Sequence, residues 1–380
     1  MKNSNINIIH VFSESVFIDF IIEQFSNLEI NSSYFCLLTG NAFFEKIKYK
    51  NKIKFFENIK QLEEEIRGTD GIFVLHSRFL PFSVLNHMFK GKKIIWSSWG
   101  YDLYQDNRLN SKHNLINLEL YKPYTLEYLK SGQSFKSRIR NVLPDFKNII
   151  RANIFYSRIK YVSCVLPNEF DLINSVKKNI ENFIPIRYIE KNEVNSVNVF
   201  KKNNTILLNN SADPTGNHID VLKFISKYIN SETIIYIPFS YGVKQDYFER
   251  IKKEVKLLNL EKNVIFLTDF IEYEEYKKLL SSCSIAIFGH IRQQGIGNII
   301  NLLSSGVKVF FYEDSVSYQY YKKQGINVYT LEHDFNEKEL KGELDANSMN
   351  ENIKLMAELQ NYDNYLITLK TSLDSCFGQK

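Results

Sequence analysis

Arg292-Gln293-Gln294-Gly295-Ile296-Gly297-Asn298 lies between two apolar runs, Ile285-Ala286-Ile287-Phe288 before it and residues 299–303 after it. The first run reads as a buried strand and the second as a helix, so the seven residues open a helix at the end of a strand. Glycine has no Cβ to hold a ligand off the backbone, and the first N–H groups of a helix point outward with partial positive charge. A turn that only packs tightly would use the glycines. It has no need of Arg292 or of the paired amides, which suit an anion.

The same strand–turn–helix unit recurs on both sides. Upstream, strands at 205–209, 233–238 and 264–267 alternate with helices at about 217–229, 245–258 and 273–281, and a strand at 307–311 follows. The first part of the chain repeats the alternation, with strands at 6–12, 34–38, 53–56, 71–76 and 92–96 and helices at 15–25, 59–66 and 81–89. Such alternation implies parallel, doubly wound sheets. With 380 residues the chain exceeds what one core usually serves, so two Rossmann-like α/β domains are expected. The expected bounds are 1–190 for the first, with a basic helical insertion at 112–160, and 204–345 for the second. A polar, Lys- and Asn-rich linker covers 187–203. A last helical segment, 346–380, is expected to return to the first domain.

The composition is that of an ordinary folded protein, 44% hydrophobic and 24% charged, with 48 Lys and Arg against 43 Asp and Glu. The excess is local. Residues 122–160 carry nine basic side chains (Lys122, Lys130, Lys136, Arg138, Arg140, Lys147, Arg151, Arg158, Lys160) against Glu127 and Asp145. Apolar residues recur between them at spacings of three and four, with Pro144 expected to kink or split the helix. A solvated basic face packed on its own domain and a face lying on an anionic membrane both fit this pattern. Aromatic residues are not interleaved there as a base-stacking platform, so nucleic acid is not an expected partner.

Cys36, Cys164, Cys283 and Cys376 are widely separated and form no C-x-x-C pair, which reads as reduced structural thiols in a cytosolic protein. The first residues run into a strand without an apolar segment or cleavage site, and no apolar run is long enough to span a bilayer. Any membrane contact is therefore expected to be peripheral.

Ligands of open α/β sheets bind beyond the carboxyl ends of the strands. Five polar clusters fall at such ends: His76-Ser77-Arg78; Ser97 to Tyr104, which includes Trp99, Gly100 and Asp102; Asn210 to His218, which includes Ser211 and Asn217; Pro238 to Gly242, which includes Tyr241; and His290 to Asn298. Taken singly, Asp102 could be a turn or cap residue, His76 a core histidine, and the Asn210 to Asn217 run an Asx-rich helix start. There is no D-x-D, H-E-x-x-H or P-loop lysine motif. A metal-bridged diphosphate is not indicated, no cofactor is expected, and neutralising an anion falls to Arg292 and the helix start.

These residues carry a resemblance. Residues 264–309 resemble the nucleotide-sugar half of GT-B glycosyltransferases. Ile291-Arg292-Gln293-Gln294-Gly295-Ile296-Gly297, Trp99-Gly100-Tyr101-Asp102-Leu103-Tyr104 and Asn210-Ser211 with Asn217-His218 are similar to the 4-acetamido-4,6-dideoxygalactose (Fuc4NAc) transferase family of enterobacterial common antigen type. The resemblance implies a GT-B fold of two facing Rossmann-like domains with a C-terminal helix crossing back. It implies a hexosyltransferase moving the sugar from dTDP to a polyprenyl-diphosphate-linked saccharide at the cytoplasmic face of the membrane. Asn209 and Ala212 stand where the family has glycines. Gln294 takes the place of one glutamate that related enzymes use to hold sugar and ribose, and Leu302 lies near the other; a deoxyribose needs one contact fewer.

On this reading Asn210, Ser211, Asn217, His218, Pro238, Tyr241, Arg292, Gln293, Gln294, Gly295, Gly297 and Asn298 bind the donor. Arg78, Trp99, Gly100 and Tyr104 face the acceptor, and Asp102, or else His76, deprotonates it if the reaction inverts. Partners are then a nucleotide sugar, a lipid-linked saccharide and an anionic membrane surface through 122–160. A two-domain sugar-nucleotide epimerase would share the fold, as would an exported bilobal solute-binding protein.

Overall fold

The computed structural model describes residues 7–40, 44–106, 113–131, 145–189, 203–240, 245–341 and 344–378. The chain forms two compact units. One comprises residues 1–117, 139–192 and 361–380, and the other 118–138 and 193–360.

The first unit is built on β1 (Asn7–Ser13), β2 (Asn31–Leu37), β3 (Ile53–Phe56), β4 (Ile72–His76), β5 (Lys93–Ser97), β6 (Tyr161–Ser163) and β7 (Asn182–Phe183). They pair in parallel throughout, in the order β3-β2-β1-β4-β5-β6-β7. The central strands read as branched and aromatic runs because helices cover both faces; β4 is buried at every residue. Ile8, Phe12, Ile18, Ile22, Phe25, Val74 and Ile95 share one core with Tyr365, Leu369 and Leu373 of the helix Tyr362–Phe377.

The second unit holds β8 (Asn203–Leu208), β9 (Ile234–Pro238), β10 (Val264–Leu267), β11 (Cys283–Phe288), β12 (Lys308–Phe311) and β13 (Tyr329–Thr330), all parallel, in the order β10-β9-β8-β11-β12-β13. In both sheets the order reverses beside the first strand, between β1 and β4 and between β8 and β11. Loops leaving the two strands there diverge to opposite faces and open a crevice.

Three expected bounds are corrected. Residues 112–160 are not one insertion of the first domain. The helix Pro123–Ser131 belongs to the second unit, where Asp220 caps it by accepting from the Tyr124 and Thr125 N–H groups, both at 2.9 Å. The helix Phe146–Arg158 belongs to the first unit and starts at its own cap, with the Asp145 carboxylate accepting from Asn148 N–H at 3.1 Å. Pro144, Lys136, Arg138 and Arg140 lie outside the described residues.

The linker does not begin at 187. The Tyr188 hydroxyl is hydrogen-bonded inside the first unit to His76 and Ser97, and the Ile189 carbonyl accepts from Gln24. Finally, 346–380 is two elements. The helix Ala346–Leu359 packs on the helix Ile296–Ser304 of the second unit, and only the helix Tyr362–Phe377 joins the first.

Candidate active site

In the second unit the switch point is closed by two asparagines in left-handed backbone, Asn209 (φ 61°) and Asn217 (φ 50°). Asparagine tolerates that region because its short side chain bonds locally. The Asn209 amide donates to the Gly216 carbonyl at 2.9 Å, and its oxygen accepts from Gly289 N–H at 2.9 Å. Asn217 Nδ2 donates to the Gly289 carbonyl at 2.7 Å, and its oxygen accepts from Lys122 N–H at 2.8 Å. The Asn209 and Asn217 side chains thus tie the loop after β8 to the backbone of the loop after β11. A Cβ on Gly289 would collide with the Gly216 carbonyl oxygen.

The β11 loop then runs to Gly295, whose φ of 68° starts the helix Ile296–Ser304. The first bond back is Ile299 N–H to the Gly295 carbonyl at 3.0 Å, so the N–H groups of Ile296, Gly297 and Asn298 have no carbonyl within the helix. Asn210 lies under this turn, with its carboxamide 2.8 Å from where a Gly295 Cβ would stand. Arg292 is half-buried and donates to the Gln293 carbonyl at 3.1 Å; among the described residues no carboxylate lies within ion-pairing distance of it. Gln294 ties the two loops together, its Nε2 donating to Ser211 Oγ at 3.2 Å and its Oε1 lying 2.8 Å from Thr215 Oγ1.

Two buried histidines sit behind. His218 meets the Tyr247 hydroxyl at 3.2 Å and its pKa is lowered to about 4 by burial, against the pull of Asp213 and the Ser211 carbonyl. His290 is held well below the ordinary imidazole value by burial, then by Arg292 and His218, with Asp213 opposing. Gln293 is buried, Pro238 ends β9, and Gly297 is exposed. Asn298 differs from the expectation in one respect, since its side chain is committed to the Tyr276 hydroxyl at 2.8 Å. Tyr241 lies outside the described residues.

The first unit has its own cluster beyond β4 and β5, and here the structure corrects the expectation. Asp102 is fully buried. Its Oδ2 accepts from Arg78 N–H at 2.7 Å and Trp96 Nε1 at 2.8 Å, and its Oδ1 from Trp99 N–H at 2.8 Å. Burial raises its pKa, while Arg78 and those donors oppose the rise. A carboxylate with both oxygens occupied and no exposure is a clamp between two loops, not a base for an incoming hydroxyl.

His76 is equally enclosed. Its Nε2 faces His10 Nδ1 at 2.9 Å, its Nδ1 the Tyr188 hydroxyl at 2.7 Å, and Phe12 stacks on the ring at 3.9 Å. Burial, then His10, holds it neutral, well below its ordinary pKa. Tyr104 is also internal, donating to Glu169 at 2.7 Å, so it does not face an acceptor. Gly100 (φ 89°) is buried and makes the turn on which Leu103 and Tyr104 N–H close. Arg78 and Trp99 remain half-buried, Arg78 donating to Asn114 and lying 4.5 Å over Phe82, and Trp99 standing edge-on to Phe17 and Tyr188.

Residues 171–371, more than half of the chain, match the family model described as 4-alpha-L-fucosyltransferase, glycosyl transferase group 56. The chain belongs to glycosyl transferase group 56. Among solved structures, this group 56 chain is similar to HepE of Anabaena in complex with UDP-glucose (TM-score 0.63, 10% identity, 97% of this chain and 99% of that one). It is also similar to a glycosyltransferase of Rickettsia africae (TM-score 0.53, 11% identity, 98% and 94%). A third is the lipopolysaccharide outer core galactosyltransferase WaaB in its apo form (TM-score 0.52, 12% identity, 98% and 97%).

At such identities the likeness is one of fold, and the fold is GT-B. The protein is a glycosyltransferase, which removes the epimerase and solute-binding readings. Sequence reading passed over Gly289 and gave no role of their own to Asn209, Gly216 and His290. The signals were there for three of them: Asn209 stands where the family has a glycine, Gly216 lies in the polar run after β8, and His290 opens the polar run after β11.

Proposed function

We propose that this glycosyltransferase transfers an N-acetylated dideoxyhexose of the 4-acetamido-4,6-dideoxygalactose kind from a dTDP donor to a polyprenyl-diphosphate-linked saccharide. The observation that carries the donor half is the β11 loop. Arg292 stands without a carboxylate partner among the described residues, at the head of a helix whose first N–H groups are open, at the switch point of the sheet. A charge-assisted bond from the guanidinium contributes about 1.5–3 kcal/mol and the helix start about 0.3–1 kcal/mol more. Both act on the nucleoside diphosphate as it leaves, so the reaction needs no divalent metal. The UDP-glucose held by HepE supports a nucleotide sugar as the donor class. The chain's resemblance to Fuc4NAc transferases supports dTDP.

For the acceptor, the supporting observation is the helix Phe146–Arg158. Ala152, Phe155 and Tyr156 pack inward, while Phe146, Ile150 and Ile154 form an exposed stripe (70%, 60% and 40% exposed) with Lys147 and Arg151 along its edge. An apolar stripe edged with cations suits an anionic lipid surface, with each cation contributing about 1 kcal/mol. The contact so narrows from 122–160 to this helix, and the enzyme works peripherally at the cytoplasmic face. Among the described residues no helix is long and apolar enough to cross a membrane. Arg78 and Trp99 are the acceptor-side candidates.

The test is transfer itself. With dTDP-Fuc4NAc, a polyprenyl-diphosphate disaccharide and EDTA, mass spectrometry should show one added sugar. A product formed only from another nucleotide sugar, or only with metal, overturns that part of the reading.

A further inference from the structure

His290 is 2% exposed, and neither ring nitrogen has a hydrogen-bond partner. A neutral imidazole carries one N–H donor and one acceptor, and leaving such groups dry costs about 1–3 kcal/mol each. An unsatisfied buried group in a native fold calls for a reason, and a ligand that completes its hydrogen bonds is one. The surroundings state the ligand's sign. Arg292 on the same loop is the standing positive neighbour of the ring, and His218 from the helix His218–Ile225, itself neutral through burial, opposes a second charge beside it. Among the described residues the opposing carboxylate is Asp213, which accepts from Thr215 N–H at 2.8 Å and has Thr215 Oγ1 at 2.6 Å. Phe288 lies 6.2 Å away, ring centre to ring centre, and Tyr247 stands behind His218. The nine-residue helix with open N–H groups begins six residues further on.

We propose that His290 is a further ligand of the donor diphosphate, giving a ring N–H to a phosphate oxygen and taking up one proton from solvent as the nucleotide binds. This rests on the reading of the β11 loop as the donor site. Before binding, burial and Arg292 keep the ring neutral. A diphosphate pairs with Arg292 and sets negative charge against the imidazole, so the interaction that opposed protonation becomes one that favours it. The proton moves from buffer to ring, and no bond of the nucleotide changes.

The experiment is calorimetric titration of dTDP at pH 7.5 in PIPES, HEPES and Tris, which differ in heat of ionisation. It is run on the wild-type chain, His290→Gln and His218→Gln. The glutamine keeps a donor but cannot titrate. Wild type should take up close to one proton, His218→Gln should retain the uptake, and His290→Gln should lose most of it while binding about tenfold more weakly. Equal uptake in wild type and His290→Gln overturns the proposal, as does uptake lost only in His218→Gln. If wild type binds no dTDP, the donor-site reading itself fails and the proposal falls with it. Should His290→Gln not fold, the wild-type ring can be read by histidine 13C and 15N shifts. A change to imidazolium with dTDP supports the assignment, and a ring that stays neutral ends it.

Discussion

Asp102 shows how a residue can look catalytic and be structural. It follows a strand end among Trp99, Gly100 and Tyr101, the setting of a pocket, but what fixes its role is Trp96 Nε1, Arg78 N–H and Trp99 N–H closing on it. Asp102→Asn presents an amide donor to one of these donors, so it should lower stability by about 1–3 kcal/mol. Turnover per folded molecule should stay within about threefold of wild type. Thermal melting and kcat measured on the same preparation check this; an unchanged melt with kcat down by orders of magnitude would return the carboxylate to the chemistry. Arg292 and the glycines were legible because their message is local, a cation and two residues without Cβ at a helix start. Asp102, His76 and Tyr104 were not, because burial is set by side chains from distant segments such as Tyr188 and Glu169. His290 escaped for the opposite reason: what marks it is the absence of a partner, which only packing reveals.

At the scale of elements, the alternation of apolar strands and periodic helices was readable because each carries its own period, two or three and four. The stretch from 112 to 160 was misread as one insertion. A helical period says which face is apolar, but not which core that face joins, and Asp220, the cap of Pro123–Ser131, lies far along the chain. The helix Phe146–Arg158 carries a prediction. Phe146 and Ile150 are exposed, so Phe146→Glu with Ile150→Glu should change stability by no more than about 0.5 kcal/mol each. Co-sedimentation with phosphatidylglycerol vesicles should fall at least about tenfold. Vesicle binding equal to wild type would leave this helix an ordinary surface.

Across the molecule, two parallel sheets with the same strand reversal place polar loops where each sheet's order turns, and each unit buries two neutral histidines, His10 with His76 and His218 with His290. The folded pKa values of His10 and His218 are lowered to about 3 and about 4, and those of His76 and His290 lie well below the ordinary 6.5, all chiefly through burial. Below pH 6.5 the unfolded chain therefore binds more protons than the folded one, and stability falls as pH falls through that window. At pH 5.5 His10 and His218 each cost about 1.4 kcal/mol and His76 and His290 act in the same direction, while Asp102, whose pKa is raised, acts in the other. Melting temperature should drop from pH 7.5 to 5.5; a flat or rising profile would mean that these rings take up protons in the folded state.

The claim on which the functional account depends is that the β11 loop holds a deoxythymidine diphosphate without metal. Titration of dTDP, UDP and GDP into the protein in EDTA, beside Arg292→Ala, tests it most directly. The account predicts selective dTDP binding that weakens about 10–100-fold in a variant that melts like wild type. Binding that needs added magnesium, or that Arg292→Ala leaves intact, would contradict it.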